Sequence, residues 1–297
     1  MYHNPVMLNE TIESLELKKD GVYVDLTFGG GGHSKAILNI LGNKGKLLAF
    51  DQDLDAIENN ISDERLLLIN QNFKFLKQNL NYYGYPMVDG ILADLGVSSY
   101  QFDKPERGFS IRHESKLDMR MNKNGELNAS EILNNYSEAE LSKIFYEYSD
   151  LRNSRSIAKL IIEKRNEARI ISTEQFNKIL NPFLSKGYEN KTLAKIYQAL
   201  RIEVNDEIET LKKLLLQLPD VLNKGGKVVI ITYHSVEDRI VKRFIQNGCF
   251  ESEPLKDDFG KYKLPFKRSF KFKSPSKKEI KKNSRSRSAK LRSAEKL

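Results

Sequence analysis

The sequence predicts an α/β fold: a mostly parallel sheet with helices on both faces, interrupted by an all-helical insertion. Two observations carry the sheet. Short apolar runs at 22–26, 46–50, 66–69, 90–93 and 227–233 alternate with stretches whose apolar residues recur at helical spacing. Those runs are apolar nearly without a break, as strands covered on both faces are, rather than alternating as half-exposed strands do. A third observation carries the insertion. From about Gln101 to Val204 no strand-like run occurs, while capping boxes and one-face apolar stripes recur.

The entry segment, residues 1–20, has a helical face of Val6, Leu8, Ile12 and Leu15, and Asp20-Gly21 turns the chain into the first strand. Val22 to Leu26 then runs into Gly29-Gly30-Gly31-Gly32-His33-Ser34, and Ala36, Ile37, Ile40 and Leu41 follow at one-face spacing. Strand, glycine loop, helix is the opening of a nucleotide-type site, because glycine lets the backbone come close to a ligand and the helix aims free N–H groups at it. A second strand, 46–50, ends at Asp51, which lies 22 positions after Gly29, near the roughly 20 expected of a carboxylate that grips ribose hydroxyls. Asp51 and Asp53 are also residue types that cap helices. A short helix is expected over 54–61, a third strand over 66–69 running toward Phe73, a helix over 75–83, and a fourth strand over 90–93 ending at Asp94. Asp25, Asp51, Phe73 and Asp94 thus fall at or just past the carboxyl ends of strands, where open α/β sheets bind ligands.

The ligand is narrowed by what is missing. Lys35 comes too late for a phosphate-binding P-loop, and Ser34 stands where a dinucleotide fold has its third glycine. Asp25 would repel a pyrophosphate but suits a ligand with a positive end, and S-adenosyl-L-methionine carries an amino group and a sulfonium. The adenosine is expected on Asp51 and the methionine end by the glycine loop.

In the insertion, Ser137 with Glu140 and Ser172 with Gln175 form capping boxes that start helices, with further helices at 154–166 and around Leu193, Ile196, Tyr197 and Leu200. The sheet domain is expected over 1–103 and 205–297, and the helical insertion, with RNA recognition as its expected role, over 104–204. Alternation resumes with a helix carrying Ile208, Leu211, Leu215 and Leu218, broken or kinked at Pro219. A fifth strand at 227–233 leads to His234-Ser235, and a helix at 236–246 follows. Phe266, Phe270 and Phe272 alternate with lysines, which fits a strand for part of the stretch or an aromatic-basic nucleic-acid surface.

Composition narrows the partners. The net charge is +9, yet residues 251–297 hold 16 Lys and Arg against 6 Asp and Glu, while the other 250 residues hold 33 against 34. A basic segment of this kind points to a polyanion, nucleic acid first, with a solvated tail as the alternative. Cys249 is the one cysteine and the four histidines are scattered, so neither a disulfide framework nor a metal site is expected. No apolar run approaches the ~18–20 residues of a membrane span and no signal peptide is evident, so a cytoplasmic location is expected.

These residues together resemble one family. His3-x-Pro5-Val6, Asp25-x-Thr27-x-Gly29-x-Gly31-Gly32-His33-Ser34, Asp94-Leu95-Gly96-Val97-Ser98-Ser99 and Arg107-Gly108-Phe109-Ser110 match it, as do Leu117-Asp118-Met119-Arg120-Met121 and Gln198-Ala199-Leu200-Arg201-Ile202 with Val204-Asn205. His234-Ser235-x-Glu237-Asp238-Arg239 and Arg285-Ser286-Arg287-Ser288-Ala289-Lys290-Leu291-Arg292 complete the set. The chain resembles the bacterial ribosomal RNA small subunit methyltransferase H family nearly end to end. The resemblance implies a class I S-adenosylmethionine-dependent methyltransferase fold (Rossmann-like) with an inserted helical domain. It implies N4-methylation of a cytidine in the decoding region of 16S rRNA, as free RNA or within the small ribosomal subunit. It implies cofactor contacts at Gly31, Gly32, His33, Asp51, Phe73, Asp94 and Gln101. One stretch departs: Lys191-Thr192-Leu193-Ala194-Lys195-Ile196-Tyr197 stands where the family usually has His-Pro-Ala-Thr-Arg-Thr-Phe.

For the chemistry, Asp94, backbone carbonyls of the 95–99 loop and His234 are the candidate acceptors of the amine proton, and no catalytic base is assigned. His234 equally fits a helix cap. Arg107, Arg112 and Arg120 are candidates for RNA phosphates or for surface ion pairs. The rival functions are a DNA amino-methyltransferase sharing the cofactor site, a nicotinamide-dependent oxidoreductase, and a non-enzymatic RNA-binding or ribosome assembly protein.

Overall fold

A computed structural model describes residues 5–297 other than 252, 255, 257 and 263. His3 of the N-terminal motif therefore lies outside the described residues. In chain order the elements are α1 (Leu8–Leu15), β1 (Val22–Asp25), α2 (Gly32–Leu38), β2 (Lys46–Phe50), α3 (Leu54–Ile57), β3 (Leu66–Ile69), α4 (Leu76–Tyr82) and β4 (Val88–Asp94). The helical stretch holds α5 (Ser99–Asp103), α6 (Ala129–Asn135), α7 (Glu138–Ser149), α8 (Ser154–Glu167), α9 (Thr173–Leu180) and α10 (Glu189–Val204). The chain then makes α11 (Glu207–Val221), β5 (Leu222–Thr232), α12 (Ser235–Asn247), β6 (Phe266–Arg268), α13 (Lys277–Lys282) and β7 (Lys290–Lys296). It divides into two compact units, Met1–Gly96 with Glu209–Leu297, and Val97–Ile208.

The first unit is a seven-stranded sheet of order β3-β2-β1-β4-β5-β7-β6. β1 through β5 are mutually parallel, and β7 runs antiparallel to both β5 and β6. Side chains alternate across the sheet, which is why each strand reads as continuously apolar. Val24, Leu48, Phe50, Ile91, Ala93, Val228 and Ile230 pack on one face with Leu76 and Leu80 of α4, Leu211 to Leu218 of α11, and Val241 and Phe244 of α12. Tyr23, Leu47, Leu92, Val229 and Ile231 pack on the other with Leu15 of α1 and Ile37 and Leu38 of α2. From β1 the chain moves outward to β2 and β3, then returns to place β4 on the other side of β1. The order reverses there, and the crevice beyond the carboxyl ends of β1 and β4 is the binding position of such sheets.

Two points left open by the sequence are narrowed. Of the break or kink expected at Pro219, the break does not occur: α11 continues through it to Val221. The basic C-terminal stretch is not a detached tail. Leu291 and Ala294 are fully buried, and β7 sits between β5 and β6. Of the aromatic-lysine run, Phe266 begins the three-residue edge strand β6, while Phe270 packs against the sheet's second core.

The second unit has its own core, in which Leu141, Ile144 and Phe145 of α7 meet Ile157 and Ile161 of α8, Phe176 of α9, and Ile196 and Leu200 of α10. Ser137 and Ser172 each accept an N–H from the third helical residue, whose side chain bonds back, so both capping boxes form. Among the described residues this unit contributes no strand to a sheet, only an isolated bridge between Lys116 and Ser172.

Candidate functional site

The site is assembled at the carboxyl ends of β1, β2 and β4. The glycine loop leaves β1 and turns with Gly29 at φ 52° and Gly31 at φ 73°, the left-handed region that a side chain makes costly. A Cβ on Gly31 would lie 3.0 Å from the Phe28 ring and 3.1 Å from Ile61 Cδ1, so the loop is packed against its own flank.

Asp51 ends β2 and fastens that loop. Its two carboxylate oxygens accept the N–H of Gly29 at 2.8 Å and of Asp53 at 2.9 Å. The helix cap belongs instead to Asp53, whose Oδ1 accepts the Asp55 N–H. Burial drives the Asp51 carboxyl up to about 6, against the two N–H bonds that pull it down, and the charges of Asp53 and Asp25 push the same way as burial. Each oxygen uses one lone pair on a backbone N–H, Oδ2 on Gly29 of the loop and Oδ1 on Asp53, and keeps another for a donor such as a ribose hydroxyl.

Asp94 ends β4. Its backbone N–H donates to Thr27 Oγ1 at 2.7 Å, which ties β4 to the start of the glycine loop. Its Oδ1 accepts the hydroxyl of Tyr233 at 2.6 Å, and its Oδ2 lies 3.9 Å from His33 Nδ1, with 21% of the side-chain surface still accessible. Burial raises this carboxyl to about 6, opposed by the His33 ring and the Tyr233 hydroxyl and reinforced by the charges of Asp25 and Glu237. Burial and then the Asp94 charge hold the Tyr233 phenol well above its ordinary value, so Tyr233 is the donor and Asp94 the acceptor.

Asp25 departs from expectation. It is 1% exposed, and its oxygens face Ser34 Oγ at 2.7 Å and the Thr27 N–H at 3.1 Å. Its oxygens are taken up by these neighbours, and its charge adds negative potential at both Asp51 and Asp94. His33 is likewise buried. Its Nε2 pairs with the Val6 carbonyl at 3.0 Å, which leaves its backbone, in the first turn of α2, as the part that lines the loop. Phe73 is half-buried just past β3, behind an Asn72 side chain that caps the turn.

Gln101 belongs to the second unit, where its Oε1 accepts the Ser98 N–H and closes a capping box on α5. His234 takes the helix-cap role: its Nδ1 accepts the Glu237 N–H at 3.4 Å, and its Nε2 lies 2.8 Å from Glu237 Oε1 without hydrogen-bond alignment. Arg107 is buried, its guanidinium donating to the carbonyls of Arg120 and Met121, and Arg120 forms a fork with Asp118 at 2.8 and 2.7 Å. Both are spent on their own unit. Arg112 is exposed, on a groove of about 320 Å³ shared with His113, Asn177 and Lys178. Sequence reasoning missed Tyr233; its signal was its place just past β5, one strand over from Asp94.

The strand order, with an antiparallel β7 inserted before β6, is that of the class I S-adenosylmethionine-dependent methyltransferases. The MraW methylase family model matches residues 1–297. The chain belongs to the MraW methylase family. Among curated relatives, a ribosomal RNA small subunit methyltransferase H of Christiangramia forsetii is 55% identical over 100% of this chain and 98% of its own length. Proteins of the same name are 52% identical in Flavobacterium johnsoniae, over 100% of this chain and 98% of that one, and 48% identical in Bacteroides fragilis, over 99% and 97%. The cofactor of this methylase is S-adenosyl-L-methionine. The donor set fits it: acceptors for ribose hydroxyls at Asp51 and a negative rim of Asp94 backed by Asp25 suit a ligand with hydroxyls at one end and positive charge at the other. Among the described residues no helix is long and apolar enough to cross a membrane.

Proposed function

We propose that this protein methylates N4 of a cytidine in the decoding region of 16S rRNA, with the small ribosomal subunit as its setting. The observation that carries this reading is the match, over essentially the whole length, to relatives named ribosomal RNA small subunit methyltransferase H. Asp51 holds the ribose hydroxyls, Phe73 flanks the base of the cofactor, and the Gly31, Gly32 and His33 backbone with Asp94 takes the methionine end. Gln101 enters on resemblance alone.

The bound cofactor supplies an electrophilic methyl on a positively charged sulfur. Cytosine N4 is a poor nucleophile because its lone pair is delocalised into the ring, so holding the nitrogen in line supplies most of the acceleration. As N4 gains the methyl it must lose a proton. Asp94 Oδ2 is the acceptor this reading favours: Oδ1 is committed to Tyr233, and a carboxyl titrating at about 6 is ionised at neutral pH. His234 is set aside because its ring caps α12. The target base is unstacked and turned into the site, as enzymes acting on bases require. The helical unit is proposed to present the RNA.

The test is to incubate the protein with methyl-labelled cofactor and 16S rRNA, small subunits or DNA, and to locate the label by mass spectrometry. Label on a decoding-region cytidine N4 supports the reading. Label only on DNA, or on another rRNA atom, overturns it.

A further inference from the structure

The positive charge of residues 251–297 includes two contrasting groups. One serves the fold: Arg292 and Lys290 both pair with Asp238, and Lys273 reaches Glu13. The other is displayed on α13, whose sequence is Lys277-Lys278-Glu279-Ile280-Lys281-Lys282. All four of its lysines are exposed and, among the described residues, none has an ion-pair partner.

Folding alone does not account for that helix. Like charges four apart repel along it, and Lys277 and Lys278 stand in the first turn, where the helix dipole disfavours cations. Six residues are too few for a helix to persist unaided. It is held from outside: Ser276 caps it, and Glu279 Oε1 accepts the Met7 N–H at 2.7 Å. The anchor places it. Met7 follows Val6, whose carbonyl holds His33 beside Asp94, and the Glu279 charge is felt at the Tyr233 hydroxyl that donates to Asp94. The lysine helix therefore stands at the same end of the sheet as the Asp94 rim.

We infer that α13 is a phosphate-gripping arm that holds the backbone of the RNA strand carrying the target base. This deepens the proposed function and rests on it. Lysines are point charges on flexible stems, suited to phosphates rather than to base edges, so the arm positions the strand without reading its sequence.

The test compares wild type with a variant in which Lys277, Lys278, Lys281 and Lys282 are all changed to Gln, and with one in which all four are changed to Arg. Binding of a labelled single-stranded RNA and of a scrambled counterpart is measured across a salt series. In the Gln variant, affinity at low salt falls about 10-fold or more for both RNAs. The log–log salt slope shrinks by up to ~3, at ~0.7 per phosphate on a single strand. The Arg variant keeps both, and cofactor affinity is the same in all three. An unchanged slope in the Gln variant overturns the arm, and leaves the lysines to solubility or to an acidic protein. A methyl-transfer assay on wild type separates the two claims: label on rRNA with an unchanged slope rejects the arm alone, and no label on rRNA with a reduced slope rejects the proposed reaction alone.

Discussion

The Tyr233 hydroxyl donates to Asp94 Oδ1 at 2.6 Å, joining the end of β5 to the end of β4 at the rim of the site. The bond favours the ionised carboxylate that burial disfavours. A hydrogen bond to a charged group contributes ~1.5–3 kcal/mol, and 1.36 kcal/mol is about one pKa unit. Tyr233→Phe should therefore move the acid limb of the kcat/KM profile for methyl transfer up by about one unit, with less loss at high pH. Unmoved limbs in the two profiles would leave Tyr233 with packing alone.

Asp51 and Asp94 make the stability of the fold pH-dependent in the direction opposite to an ion-paired carboxylate. Both titrate at about 6 in the folded chain against an ordinary 3.8, so between those values the folded state binds more protons than the unfolded one. Their contribution is fully present below pH 3.8 and is lost as pH rises through 6. Thermal melts of wild type and Asp51→Asn should show the difference in stability, wild type minus variant, falling between pH 4 and 6.5 and level above. A difference that rises over that window contradicts the assignment.

Asp51 carries the glycine loop and, in the proposed reading, the ribose. Asp51→Ala removes both acceptors of the Gly29 and Asp53 N–H groups as well as the hydroxyl partner. Calorimetry should find cofactor affinity lowered by at least about 10-fold, the loss of one or two good hydrogen bonds, with the far-ultraviolet circular dichroism retained. Unchanged affinity would confine Asp51 to the loop.

The Asp238–Arg292 pair fastens α12 to β7. Burial pushes the Asp238 carboxyl up, but the hydrogen bonds from Arg292 and Lys290 outweigh it and hold it low. Arg292→Ala strands a buried carboxylate beside Lys290 alone, and breaking such a pair costs ~3–5 kcal/mol. Urea unfolding should shift by that order, whereas Lys278→Gln on the exposed face of α13 should leave the midpoint where it is.

The parallel core was legible because each of its strands must be apolar on both faces, as Val228 to Ile231 are, and because a strand followed by glycines has few other meanings. Asp51 and Asp94 were legible from spacing and strand ends. What escaped was set by tertiary partners. Nothing local marks Lys290-Leu291-Arg292-Ser293-Ala294 as an interior strand; its charges look solvated until Asp238, 54 residues away, takes up Arg292. Arg107 and Arg120 look like phosphate ligands until the carbonyls and the carboxylate that consume them are in view. Asp25 looks like a ligand contact until Ser34 closes over it.

The sheet is made out of order in time. β7 slots between β5 and β6, both of which leave the ribosome before it does, and Lys290 meets Thr232 across 58 residues of chain. At 5–20 residues per second that interval lasts about 3–12 s, during which the β5 edge has no neighbour on that side. A nascent chain of this protein thus carries an open, strongly apolar strand border through the latter part of its synthesis. Ribosomes that stall in that window should yield product that aggregates rather than one that merely lacks activity.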